Sequence, residues 1–284
     1  MARIAVIGLV GRSMFFDVPH FHSGGETVHA TGFHEEWGGK GLNQAVAASR
    51  QGARVAFLGK VGGASDARAA CAFCEGEGVA PYISGAEALP TACAAILTDG
   101  TGETRVTVAR GAELCETDVD AGFSGEIAAA DFLLLNNEVP EVVNVRASEI
   151  AASCGVRIVF NPAPARPIPR ELASRVFVFT PNESEEPAIG DVPGEVVTTL
   201  GALGCRIRST GETIPAPPAK AVDTTGAGDT FTAVLAVRIA EGFSLAEACR
   251  EANAAAARSV TVRYVVPSLP RRLCRKNIEE RPAR

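Results

Sequence analysis

The chain has 284 residues, 46% of them hydrophobic and 21% charged, and a net charge of −6. That length supports one large α/β domain with a sizeable core, and the acidic balance excludes the basic footprint of a nucleic-acid binder. The first apolar stretch, residues 3–9, is too short to cross a membrane and lacks a cleavable leader pattern. A cytoplasmic protein with no membrane partner is expected.

In chain order, short apolar runs predict strands at "RIAVIGL" (3–9), "RVAFLGKVG" (54–62) and "DFLLLNN" (131–137). Further strands are predicted at "RIVFNPA" (157–163), "VFVFTPN" (176–182) and "VVTTL" (196–200). Ala-rich stretches at 43–52, 64–78 and 141–155 read as helices between them. Continuous apolar strands, each followed by a helix, imply a mostly parallel sheet covered on both faces. Residues 24–37 and 91–110 instead alternate apolar and polar residues around turns such as "DGTGE", which predicts a small antiparallel sheet. The expectation is one domain over 1–284 with a β lid from about 18–37 and 91–110. A two-stranded flap cannot bury its own apolar face, so a homodimer through the lid is expected.

The eight cysteines are scattered. Cys71 and Cys74 form the one close pair, in an Ala-rich helix where core packing is the better reading. His20, His22, His29 and His34 fall within fifteen residues. His20-x-His22 admits a transition metal, but a polar loop at the lid edge is preferred. The tail, residues 271–284, mixes both charge signs and reads as a solvated terminus.

Two glycine-rich phosphate motifs fail on spacing. Gly39-Lys40 has His34 and Gly41 where a Walker loop needs Gly and Ser or Thr, and "GLVGRS" is not a dinucleotide fingerprint. "GAGD" (226–229), in front of the apolar run "TFTAVLAV", fits another design. Backbone N–H groups of Gly226, Ala227 and Gly228 converge at a helix start, where they suit a phosphoryl group in transit. Asp229 beside them suits a general base. Helix capping is the competing role for this aspartate.

"GGKGLNQAVAASRQGARVAFLGKVG" (38–62) with "DTTGAGDTF" (223–231) resembles the two signature regions of the PfkB, or ribokinase-like, family of carbohydrate kinases. The likeness runs almost the whole chain, through 161–185, "TLGALG" (199–204) and "PSLP" (267–270). The resemblance implies an α/β fold with a lid, and ATP-dependent phosphorylation of a primary hydroxyl of a small sugar, ribose or a related furanose. It implies Asp229 as base, Gly226, Ala227 and Gly228 as anion hole, and Gly39, Lys40, Asn43 and Glu138 as sugar ligands. It places Asn182 and Glu185 near Mg²⁺ and the ATP phosphates, Thr199, Gly201 and Gly204 along the nucleotide, and Asn253 beside the adenine. Asp223, Thr225, Ser259, Tyr264 and Ser268 match a K⁺ site.

Three departures stand out. The family carries Asn-x-Asp after the first strand, where this chain has Gly11 and Ser13, with Asp17 as the nearby substitute. Tyr264-Val265 replaces Gly-Ala in the cation loop. Residues 183–195, with two prolines and two glycines, leave no room for a long helix, so one helix is expected to be missing or reduced to a turn. Two other functions follow from these. A nucleoside kinase would use "MFF" (14–16), Phe21 and Trp37 as walls for a base. A sugar-binding paralogue that has lost catalysis is argued against by Asp229, Lys40 and the glycine nest.

Overall fold

A computed structural model describes residues 1–273; the tail beyond, expected to be a solvated terminus, lies outside the described residues. In chain order the strands are β1 (Arg3–Ile7), β2 (Gly11–Asp17), β3 (Gly32–Gly38), β4 (Arg54–Val61), β5 (Val79–Gly85), β6 (Ala92–Thr98) and β7 (Thr104–Ala109). They continue with β8 (Phe132–Asn136), β9 (Arg157–Asn161), β10 (Val178–Phe179), β11 (Glu195–Thr199), β12 (Cys205–Ile207) and β13 (Thr213–Ile214). Nine of them form one sheet in the order β13-β12-β11-β10-β9-β8-β1-β4-β5. The pairs from β11 to β5 are parallel, and β12 and β13 add an antiparallel edge.

The apolar strands are buried on both sides, as continuous runs demand. One face carries α1 (Lys40–Arg50) and α2 (Gly63–Gly76). The other carries α3 (Glu116–Gly122), α4 (Ser124–Ala128), α5 (Glu141–Ser153), α6 (Arg170–Ala173) and α7 (Glu186–Ile189). The long helices α8 (Ala227–Ala240) and α9 (Leu245–Ser259), with short α10 (Val265–Ser268), complete the first face. Phe57, Leu134, Val159 and Val178 lie in the α1/α8/α9 core, and Leu133, Phe160 and Phe179 in the other, all wholly buried. Each such side chain contributes about 1.5–3 kcal/mol of burial. Among the described residues no helix is long and apolar enough to cross a membrane.

The carboxyl ends of the parallel strands form the site, as this topology favours. Gly8, just after β1, and Gly41 in α1 touch so closely that a Cβ on either would lie 2.5 Å from the other's Cα. This contact seats the start of α1 on the end of the sheet.

The lid is a second sheet in the order β3-β2-β6-β7. It has four strands rather than two: β2 belongs to it, and residues 18–31 form no strand. Its hairpins are antiparallel, but β2 and β6 run parallel, since they come from distant parts of the chain. The segment after Asn182 holds only α7, a single turn of four residues.

Candidate active site

Helices α1 and α8 begin side by side, each after a glycine with positive φ: Gly39 at 113° and Gly226 at 79°. At Gly39 a side chain would collide with the Leu9 carbonyl, and at Gly226 a Cβ would lie 2.6 Å from Val265. Neither N-cap residue has a side chain to cap its helix; in α1 Glu138 instead accepts the Lys40 N–H, whereas at α8 no carboxylate occupies the first-turn N–H groups. Ala227 N–H bonds back to Thr224 O at 3.3 Å, while a Cβ at Gly228 would meet nothing within 4 Å. The space over Gly228 is therefore open.

Asp229 does not cap α8. Its side chain turns inward, 5% exposed, where Asn43 Nδ2 donates to Oδ2 at 2.8 Å and Gln44 Nε2 donates to Oδ1 at 3.1 Å. Burial pushes the Asp229 carboxyl above its ordinary range, opposed by the Lys40 charge and the two amides. Across the site the backbone N–H of Lys40 donates to Glu138 Oε2 at 2.6 Å. Burial, reinforced by the charge of Asp229, pushes Glu138 up to about 7 against the pull of Lys40. Burial also acts to lower the Lys40 ammonium, but Asp229, Glu138 and Glu185 outweigh it and hold it above its usual value.

Lys40, Asn43, Glu138 and Asp229 floor a cavity of about 470 Å³, within the range of small-molecule sites. Ser13, Phe15 and Ile96 of the lid form part of its wall. A smaller cavity of about 190 Å³ at the amino ends of the strands is lined by Arg3, Arg54, Tyr82 and Glu126 and brings together no comparable set.

Just after β10, Asn182 Oδ1 accepts the N–H groups of Ser184 and Glu185 at 2.9 Å, and Glu185 Oε2 accepts Asn182 N–H at 3.0 Å. The pair therefore caps its own turn, leaving Glu185 close enough for its charge to act on Lys40. Thr199 bridges to Asn182, and its N–H donates to Pro181 O at 2.9 Å. Gly204, at φ 101°, lies against the Ile214 carbonyl with no room for a Cβ, and Gly201 has φ 56°. Asn253 is buried and donates to Ile214 O at 2.9 Å, which makes it a joint between α9 and β13 rather than an open donor.

In the loop expected to hold a cation, Asp223 accepts the N–H of Thr225 and that of Tyr264, both at 2.9 Å. Tyr264 has φ 68° and ψ 164°, a region that is otherwise glycine's. Its ring stacks on His34 with centroids 3.9 Å apart and meets Phe15 edge-on at 5.2 Å. The bulky residue thus keeps the glycine backbone. Ser268 Oγ donates to Val265 O and Ser259 Oγ to Ala256 O. His20 pairs with Glu26 at 2.7 Å, and among the described residues no three His, Cys, Asp or Glu are grouped to hold a metal ion.

The lid fills the space at one departure and corrects two expectations. The room vacated at Gly11 is not open, because a Cβ there would overlap the Ala92 carbonyl of β6. Asp17 cannot replace the missing carboxylate: it sits at the far end of β2, paired with Arg263. Of the proposed aromatic wall only Phe15 lines the cavity; Trp37 lies under Arg12 at 3.7 Å and Phe21 under Arg105 at 4.0 Å. Gln44 escaped the sequence reading, although a glutamine inside the apolar run after Asn43 was a signal for it.

The description "pfkB family carbohydrate kinase" matches residues 1–272. The ribokinase of Bacillus subtilis is 34% identical over 277 residues, covering 92% of this chain and 93% of the relative. Among solved structures, the ribokinase of Thermotoga maritima superposes with a TM-score of 0.84 at 29% identity, covering 96% of this chain and 97% of that one. The Arabidopsis thaliana ribokinase complexed with ribose and ATP gives 0.80 at 27% identity, covering 95% and 96%. With the glycine-hinged helix starts, the buried Asp229 and the lid in place, the chain belongs to the pfkB family of carbohydrate kinases.

Proposed function

We propose that the protein transfers the γ-phosphoryl group of ATP to a primary hydroxyl of ribose or a related furanose. The observation that carries this reading is Asp229, an inward-facing carboxylate beside the open N–H groups of α8, at the floor of a cavity with Lys40, Asn43 and Glu138. The sugar oxygen forms its bond to the γ-phosphorus while the bond to the ADP oxygen breaks, and the hydroxyl proton passes to Asp229. Gly226, Ala227 and Gly228 face the charge that develops on the phosphoryl oxygens. Gly39, Lys40, Asn43, Glu138 and Ser13 take the sugar.

The cradle at Gly228 fits a phosphate, and the nucleotide runs toward Thr199, Gly201 and Gly204 with Asn253 beneath. Asn182 and Glu185 are the groups that would hold Mg²⁺ with the phosphates; the ion supplies charge neutralisation there. The oxygen-rich loop of Asp223, Thr225, Ser259, Tyr264 and Ser268 suits K⁺, because Tyr264 retains a glycine-like backbone for its carbonyl. Phe33 is 59% exposed on the lid and does not line the cavity, which supports a homodimer through that sheet. Sedimentation at micromolar concentration tests it, a monomer being the contrary result.

The catalytic reading is tested by ATP turnover on ribose, deoxyribose, fructose and a purine nucleoside side by side. Turnover confined to the nucleoside, or absent throughout, overturns it.

A further inference from the structure

We propose that Gln44 is a positioning residue for the phosphoryl transfer: its side-chain amide is the permanent hydrogen-bond donor that orients Asp229 as the base. The inference rests on the kinase reading and adds to it a residue behind the site. Gln44 is wholly buried on α1, and its Oε1, like Oδ1 of Asn43, has no hydrogen-bond partner. A buried amide with an orphaned carbonyl is costly, and an aliphatic residue would fill the place without that cost. What the amide does there is donate to Asp229 Oδ1 at 3.1 Å.

The two donors to Asp229 are not equivalent. Asn43 lines the cavity and can exchange its bond to Oδ2 for one to a sugar hydroxyl. Gln44 does not line the cavity, so its bond persists when substrate is present. With an N–H on each oxygen the carboxylate plane is fixed; with Asn43 alone it turns about one bond. The charged groups acting on Asp229 are Lys40 at the start of α1, which favours the anion, and Glu138 after β8, which opposes it. An amide donor holds the carboxylate anion more strongly than the neutral carboxyl, so Gln44 adds to the Lys40 side of that balance.

Gln44→Met keeps the length and removes the donor. We expect kcat on the preferred sugar to fall about tenfold or more near neutral pH, with the sugar and ATP KM values within about twofold. The acid limb of the kcat profile should move up by about one pH unit, so that activity recovers in alkaline buffer. Gln44→Glu, a second variant of the same shape, should move the limb further, since two adjacent carboxyls share a proton. An NMR titration of carbon-labelled aspartate reads Asp229 directly, without substrate, and should show a higher midpoint in Gln44→Met. A folded Gln44→Met with the same acid limb and the same Asp229 midpoint overturns the proposal, as does a loss equal at every pH. Should the parent protein turn over no sugar, the kinase reading fails while the titration still decides the role of Gln44.

Discussion

Asp229 stands in the first turn of α8 with an amide donating to each carboxylate oxygen, whereas Glu138 follows β8 with one backbone N–H, from Lys40, on one oxygen. Both share Lys40 and both face the same cavity. Burial drives both upward, and Glu138 reaches about 7. The two carboxyls share burial and differ in their donors: the doubly held group suits proton abstraction, and the singly held one suits exchange of hydrogen bonds with a hydroxyl.

The comparison is broken most severely at the base itself. Asp229→Asn retains shape and loses the proton acceptor, so kcat should fall ~10²–10⁴-fold with fold and sugar binding intact. Turnover near the parent's would remove Asp229 from its role; calorimetric sugar binding checks that the site survived. At Ser13, Asp would add a third carboxylate on the wall facing these two. A hydrogen bond from a sugar hydroxyl to it is worth ~1.5–3 kcal/mol, so the ribose KM should fall about tenfold or more. An unchanged KM for ribose would show that the lid has already replaced the contact.

Glu138→Gln sharpens the contrast through pH. The folded protein holds a proton on Glu138 up to about 7, against 4.5 for an ordinary glutamate. Its contribution to stability is therefore full below 4.5 and is lost as pH rises through 7. Glutamine removes that slope. Thermal melts should show the variant gaining on the parent across this interval by about 3 kcal/mol, several degrees in Tm. Parallel melting curves at every pH would mean that Glu138 titrates normally. The smallest effect lies away from both carboxyls. Tyr264→Gly trades ~1–3 kcal/mol of backbone strain against ~0.5–1.5 kcal/mol of ring contact, so stability should change by less than ~1 kcal/mol. Tyr264→Ala keeps the strain and loses the ring, and should melt lower than Tyr264→Gly. The reverse order would mean that the backbone at 264 is relaxed.

Asp229, the glycines before it, Lys40 and Asn43 were legible because each lies within a few residues of a glycine-hinged helix start. The apolar strands β1, β4, β8 and β9 were legible as continuous buried runs, and the single-turn α7 from the two prolines and two glycines around it. Gln44 was not, because its partner is 185 residues away, and a polar residue in an apolar run signals a buried partner without saying which. Strand β2 was hidden for a similar reason. "GRSMFFD" shows no clean alternation, and its parallel neighbour β6 comes from a remote hairpin. The burial of Asn253 also depends on β13, a two-residue strand that propensity cannot flag.

Gly11 has a consequence for how this protein can be altered by selection. The space beside it is filled by the Ala92 backbone, not by water or substrate. An asparagine arriving there first would displace β6 and the hairpin it leads, at a cost before any benefit to sugar binding. Ser13 has no such barrier, since glycine at position 38 leaves it free on that side. Libraries selected for a tighter hold on ribose should therefore be won at position 13 first. Position 11 should change only after substitutions in β6 have moved that strand away. The order of steps, and not only their sum, is written into the packing of one glycine.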